Sequence, residues 1–527
     1  MRHFWIAAAL VPALALAQDR PNEADLFGSS DAPVVDAGVE VPTSAADAGI
    51  DRDSAQLSAA PMQSKFDTAE AVSDPLRIGG TLLINGQGYF QETRPFLKGS
   101  FSAPMILDVY LDGRPNDRLR AYAAGRLQFD PTKPLGDGSS TTAATTTTAP
   151  GALVGLTPAT RANPSVFLDQ LWLRFDIARK VYFTVGRQKV RWGVSRIWYP
   201  TDFLNSQPRD ALNPFDVRLG VNMIKVHVPV ESLGWNFYAY GLLDAVNVSS
   251  SGLKFEQLGG AVRAEFVVGP AEIGLSGVWQ QGRGYCGVDP KECYGRYGID
   301  VSSAVGPIDL YAEAAFRDAR DFVLFRYPSD LNADNFISKL GDIEAYRPKG
   351  VMVQVSGGAS WQFNYTDKNF GILGVEYFYN PAGYDTPTGY QVKTFAPALL
   401  SQTLDPSQSV ALYQGKHNLA VTLAAPGIPG FDWITISLSN IVIINDPSAL
   451  TRVDVIFRVL NFLSVQAFAS VFYGQTGGQL RFSLSTKTIG EITSITPEAQ
   501  RDAVTTSLGS LRYPPMLQAG VLLRLSI

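Results

Sequence analysis

Only two of the 527 residues are cysteine and three are histidine. Past the first seventeen positions no run approaches the roughly 18 apolar residues that a membrane-crossing helix needs. Each scarcity excludes something. Cys286 and Cys293 lie close together in a Gly-rich, turn-like stretch with no histidine nearby, which fits a local disulfide in an exported protein better than a zinc site. His3 falls in the N-terminal segment, His227 sits beside Lys225, and His417 lies near the start of a strand-like run. No Ser–His spacing and no Gly-x-Ser-x-Gly elbow accompanies any of them. Catalytic residues, metal ligands and a cofactor are therefore not expected, and the chain does not read as an enzyme. Charge is nearly balanced, with 44 Lys and Arg against 49 Asp and Glu, so nothing calls for a nucleic-acid partner.

What is present begins with Met1–Ala17: Arg2, an apolar run from Phe4 to Leu16 interrupted by Pro12, and Ala15-Leu16-Ala17 as a small-residue cleavage site. That is the form of a secretory signal peptide. Residues 18–75 are rich in Ala, Asp, Pro and Ser, include Val35-Asp-Ala-Gly38 and Ala46-Asp-Ala-Gly49, and hold no sustained period. They read as a disordered periplasmic tail. From Leu76 onward apolar and polar residues alternate. Leu517, Ala519, Val521, Leu523, Leu525 and Ile527 share one face of the final segment, and Gln518, Gly520, Leu522, Arg524 and Ser526 the other. Ile308 to Arg317, Arg118 to Phe129 and Leu258 to Val268 repeat the pattern, with charge on one face only. An amphipathic helix would repeat at i, i+3 and i+4 instead.

Short joins, such as Arg179-Lys180, Gly269-Pro270 and Gly306-Pro307, alternate with long polar segments at about 131–165, 192–220, 247–256, 283–295, 319–349, 381–409 and 475–514. Tight turns on one side and long loops on the other are the signature of an outer-membrane barrel. Hydrocarbon offers no hydrogen bonds, so every strand edge must be paired, and a closed cylinder does that. The expected fold is all-β: a transmembrane antiparallel meander β-barrel over 76–527. About 18 strands are expected, with 16 as the fallback because 101–112 and 410–425 are the weakest segments. Aromatic residues near the strand ends, such as Tyr89 and Phe90 or Tyr377 to Tyr379, fit the interfacial belts of such barrels.

A barrel of this size leaves an aqueous lumen unless something fills it. The inward faces carry Arg118, Arg120, Arg126, Arg174, Lys225 and Arg263 together with Asp108, Asp112, Asp176, Asp300, Glu313 and Glu376. Such a set either forms opposed ladders with a transverse field or pairs locally and hydrates the wall. Arg118, Arg120 and Arg126 favour a mild preference for anions. The segment 192–220 stands out, with Trp192, Trp198 and Tyr199 among Arg196, Asp202, Arg209, Asp210, Asp216 and Arg218. Two placements are open for it: folded into the pore, where those six charged residues line a constriction, or packed on the barrel rim.

The same stretch carries a resemblance. Gly186-Arg187-Gln188, Trp192-Gly193, Pro200-Thr-Asp-Phe-Leu-Asn205 and Asn213-Pro214-Phe215-Asp216 are similar to a porin-like outer-membrane family of unassigned function, itself distantly similar to the alginate-export porins. The resemblance implies a monomeric outer-membrane barrel with a narrowed pore and names no solute. The terminal Ile527 departs from the Phe usual there, although insertion by the barrel-assembly machinery is still expected. The expected function is passive or selective passage of small hydrophilic solutes, with the lipid bilayer and outer-leaflet lipids as the other partners. The alternatives are export of an anionic polymer and a plugged structural or adhesive barrel.

Overall fold

The computed structural model describes residues 75–95, 99–136, 162–205, 208–210, 218–243, 258–279, 295–367, 369–400, 412–495, 498, 501 and 508–526. The segment expected to be a signal peptide, nearly all of the expected tail, Cys286, Cys293, Asp216 and Ile527 lie outside these residues.

The strands are β1 (Leu76–Gln91), β2 (Ser100–Ser102), β3 (Met105–Asn116), β4 (Leu119–Phe129), β5 (Ser165–Ile177), β6 (Val181–Gln188), β7 (Val221–Val230), β8 (Trp235–Leu242), β9 (Gly259–Val268), β10 (Ala271–Trp279), β11 (Arg296–Val305), β12 (Ile308–Asp318), β13 (Leu324–Arg326), β14 (Glu344–Tyr346), β15 (Val351–Asn364), β16 (Phe370–Tyr379), β17 (His417–Ile428), β18 (Phe431–Ile443), β19 (Ser448–Leu460), β20 (Leu463–Gly474) and β21 (Pro515–Ser526). Two helices, α1 (Pro387–Leu399) and α2 (Thr486–Ile495), stand between strands.

Nineteen of the strands form one sheet and β13 pairs only with β14. Within the sheet β2 is a three-residue ladder on β1 just ahead of β3. The other eighteen follow one another antiparallel around a ring, and the last returns to the first: Thr81 faces Ser526 and Phe90 faces Leu517. Among the described residues this closed meander leaves no barrel strand without two neighbours, which is what the bilayer requires. The expected strands are all there with boundaries moved by a few residues. The largest move is at 410–425, where β17 begins at His417. Glycine closes several of the short turns in the left-handed region that other residues avoid, as at Gly269 (φ 61°) and Gly306 (φ 59°).

Register fixes the faces. Partners across an antiparallel ladder point the same way, so Arg126, opposite Asp108, and Glu313, opposite Asp300 and Ser356, share one side of the sheet. Leu111, Leu173, Ile224, Val262, Leu275, Leu310, Val375, Leu438 and Val521 lie on the other side and are exposed. An apolar side chain left exposed on strand after strand is costly in water and suited to lipid. The charged face is therefore the interior.

Three features lie beyond the period-2 reading. The β13–β14 hairpin, α1 and α2 occur in segments expected to be polar loops. Leu331, Phe336, Ile343, Val392, Phe395, Leu484, Ile492 and Leu508, drawn from three of those loops, pack into one apolar cluster. They form a small cap at the end of the barrel opposite the termini.

Candidate functional site in the barrel lumen

The chain leaving β6 turns across the interior. Ser195 N–H donates to Glu313 Oε1 at 3.0 Å, and the Thr201 N–H and hydroxyl reach Glu313 Oε2. Arg196 N–H donates to Glu376 Oε2 at 2.9 Å and Trp198 N–H to Glu376 Oε1 at 2.8 Å. Tyr311 and Ser356 hydroxyls donate to the same carboxylate at 3.0 and 3.2 Å. Glu313 belongs to β12 and Glu376 to β16, so two inner-wall carboxylates hold one segment by its backbone. Charge-assisted bonds of this kind are about twice as strong as neutral ones. Gly193 (φ 96°) makes the approach possible: a Cβ there would lie 2.5 Å from Glu313 Oε2.

Apolar packing completes the seat. Val190, Trp192, Phe203 and Leu204 cluster with Met223, Tyr238, Tyr240, Leu242, Ala261, Val278 and Ala315, all inward residues of β7 to β12. Ile197 and Trp198 cluster with Phe378, Ala420, Ile441 and Leu450 on β16 to β19, and with Tyr384, Leu412, Tyr413 and Leu480 from the long loops. The Trp198 ring stacks on Phe378 at 5.8 Å, and its indole N–H donates to Leu412 O at 2.8 Å.

The residues singled out in the sequence are distributed as follows. Asp202 meets Arg218 at 2.8 Å, with both side chains largely buried, and accepts from Asn205. Arg196 lies over the Tyr311 ring at 5.3 Å and 3.8 Å from Asp309. Arg209 is partly buried and Asp210 is exposed. Arg263 sits between Asp300 at 2.7 Å and Glu265 at 2.8 Å, with Trp192 5.9 Å away. Lys225 is buried, its ammonium 5.0 Å from the centre of Tyr238. Thus Arg263 and Arg218 meet the inserted segment at Trp192 and Asp202, and Lys225 lies beside Tyr238 of the same apolar cluster.

The remaining four, Arg118, Arg120, Arg126 and Arg174, lie at or beside β4 and β5. Arg126 bonds Asp108 at 2.6 Å and lies 3.6 Å from Asp169, which also meets Lys189 at 2.7 Å. A bulge brings Asp169 there: Ala124 faces Gln170 and Gly125 faces Leu168, leaving the residue between without a partner in register. Arg120 bonds Asp112 at 2.9 Å. Arg174 lies over Tyr182 at 5.6 Å. Arg118, at the short turn, bonds Asp176 at 3.1 Å. The inward charges thus meet as neighbours on adjacent strands.

In the sequence, Glu313 and Glu376 are two lumen charges among many. Their role as acceptors for a loop 112 to 180 positions away leaves no local signal. Above the seat, Tyr384 donates to Asp446 at 2.6 Å, and burial, followed by the Asp446 charge, pushes its phenol well above the ordinary value. In α1, Lys393 donates to Ala382 O at 2.7 Å, and burial pushes its ammonium down to about 7. Among the described residues no cluster of His, Cys, Asp and Glu is arranged to hold a metal ion.

No family model and no curated protein matches the sequence. Among solved structures, a triple mutant of the Rhodopseudomonas blastica porin is similar at 11% identity, covering 86% of this chain and 100% of that one, with a TM-score of 0.37. OprB of Pseudomonas putida at high pH is similar at 10% identity, covering 87% and 96%, with a TM-score of 0.41. OmpF of Salmonella typhi in complex with daunomycin is similar at 8% identity, covering 86% and 97%, with a TM-score of 0.38. These likenesses are distant, and the assignment of the fold stands on the closed ladder itself. Eighteen antiparallel strands sealed into a ring, apolar outside and charged inside, make this chain a transmembrane β-barrel of the outer membrane.

Proposed function

We propose that the chain is an outer-membrane channel for small hydrophilic solutes, its lumen narrowed by the segment 190–205. The observation that supports this most is the double anchorage of Ser195 to Thr201 on Glu313 and Glu376. A segment fastened at two points of the wall reduces the cross-section without needing to seal it. On β4 and β5, Arg120, Trp172 and Arg174 face inward and are partly exposed. Solvent therefore has a path along β1 to β5. Arg196 would bound the narrow zone on one side and Arg120 on the other, with the buried pair Asp202–Arg218 and the pair Arg126–Asp108 behind them. Bilayer lipids would surround the apolar belt, and the barrel-assembly machinery would insert the chain.

The purified, refolded protein in a planar bilayer should give stepwise ion conductance, with a mild anion preference in a salt gradient. Deleting 196–216 should raise the unitary conductance. Absence of any conductance would overturn the reading, and clear cation selectivity would remove the preference. A second reading is favoured by the cap of α1, α2 and the β13–β14 hairpin: a closed structural or adhesive barrel, which predicts no conductance in any variant that keeps the cap. Export of an anionic polymer would call for a cationic sleeve, whereas Arg120, Arg126 and Arg263 each stand against a carboxylate.

A further inference from the structure

Three aromatic rings lie side by side on the wall that the inserted segment leaves uncovered. Tyr110 on β3, Tyr122 on β4 and Trp172 on β5 all point inward and are all partly exposed. Tyr122 and Trp172 are direct cross-strand partners. Their ring centres are 5.3 Å apart with planes 19° from parallel, and Tyr110 to Tyr122 measures 5.9 Å and 16°. Parallel rings at that separation are slid past one another, and each of the three keeps part of its surface exposed. On the opposite wall, the inward rings of Tyr238, Tyr240 and Phe378 are buried where the loop packs on them. Stacked rings kept open inside a polar channel fit a solute with an apolar face.

The polar groups at the edge of this wall narrow the class. Arg120 lies over Trp172 at 5.5 Å and holds Asp112 by two bonds of 2.9 and 3.1 Å. Further along β4, Arg126 holds Asp108 at 2.6 and 2.7 Å. Fixed donors and acceptors therefore stand beside the rings, with each of these cations matched by a carboxylate. A pyranose ring presents the complement: an apolar C–H face and a rim of hydroxyls that both donate and accept. An inorganic ion has no use for the rings, and a polyanion would meet Asp108 and Asp112. Three adjacent strands span about 10 Å between the outer two, room for linked sugars rather than a single ring.

We propose that Tyr110, Tyr122 and Trp172, with Arg120 and Asp112 at their edge, form a binding track for a neutral linear oligosaccharide. The proposal rests on the channel reading and names its substrate class. Maltotriose serves as the probe. Added to the conducting wild-type barrel, it should reduce the current in a saturable way. Trp172→Ala and, separately, Tyr110→Leu should raise the half-blocking concentration about tenfold, and Trp172→Phe should restore most of the block. Equilibrium dialysis of labelled maltotriose against the detergent-solubilised barrel should show the same order of affinities. Conductance without block or binding would overturn the sugar track and leave the channel reading standing. Absence of conductance together with binding that Trp172→Ala abolishes would overturn the channel reading and support the track as a sugar site. Equal affinity in the wild type, Trp172→Ala and Tyr110→Leu, or block by a trimeric uronate but not by maltotriose, would overturn the proposal.

Discussion

Trp198 and Trp172 both point into the barrel, yet the first is wholly buried and the second partly exposed. Around Trp198 the wall of β7 to β12 and β16 to β19 has its own ion pairs, such as Arg263 with Asp300, but also presents apolar side chains and the carboxylates of Glu313 and Glu376 to backbone amides, and a segment of the chain is laid on it. Around Trp172 the wall of β1 to β5 pairs its charges within itself, Arg126 with Asp108 and Arg120 with Asp112. A carboxylate already satisfied by an arginine has less to offer a backbone amide. On the proposed reading, one half of the lumen recruits the loop while the other stays open. An unpaired buried carboxylate would be costly, and the amides of Ser195 to Thr201 supply what the wall on that side lacks.

Substitutions on the two sides test this contrast. Trp198→Ala removes a buried ring and should cost about 3–5 kcal/mol, whereas Trp172→Ala, on the open side, should cost about 1 kcal/mol or less. Urea unfolding of the refolded barrel measures both, and equal costs would erase the distinction. Arg126→Ala leaves Asp108 without its main partner and Asp169 with Lys189 alone, so a loss of about 3 kcal/mol is expected. Arg120→Ala, at a partly exposed pair, should lose about 1 kcal/mol or less.

Gly193→Ala forces a left-handed residue and a Cβ into Glu313. The strain, about 1–3 kcal/mol, should be relieved by local release of the segment, seen as higher unitary conductance with little change in global unfolding. The pH-dependent effect belongs to the cap. Lys393 is neutral in the folded chain down to about 7, against an ordinary value of 10.5. A folded-state value below the unfolded one means that stability falls as pH drops from 10.5 toward 7 and then levels off. Lys393→Met should slow thermolysin cleavage of the cap at pH 7, and the advantage should shrink as pH rises toward 10.5.

Most of the barrel was legible because one physical rule repeats along it. Alternation places Val521, like the Val, Leu and Ile residues of the exterior on strand after strand, on the lipid side, where it is exposed. Strand number, closure and inward charges follow from that period of two. The cap was hidden for the opposite reason. Leu331, Phe395 and Ile492 come from three loops far apart in the chain, and no local period announces that they will meet. α1 carries Pro397 within it, which argues against a helix when read alone. The candidate site was half legible. Trp192, Trp198 and the charges from Arg196 to Arg218 mark the segment as unusual, but its seat depends on Glu313 and Glu376, whose spacing from it is set by closure of the ring. The aromatic row proposed as a sugar track was equally hidden, because Tyr110, Tyr122 and Trp172 become neighbours only through the register of β3, β4 and β5.

The division of the lumen is tested most directly by thiol accessibility in a background of Cys286→Ser and Cys293→Ser. Cysteines placed singly at Arg120, Trp172, Met223 and Ala315 would be treated with a charged methanethiosulfonate reagent while conductance is recorded. Reaction at 120 and 172 with a fall in current, and none at 223 and 315 until the segment 196–204 is deleted, is the predicted result. Equal reactivity at all four positions in the intact barrel would contradict it.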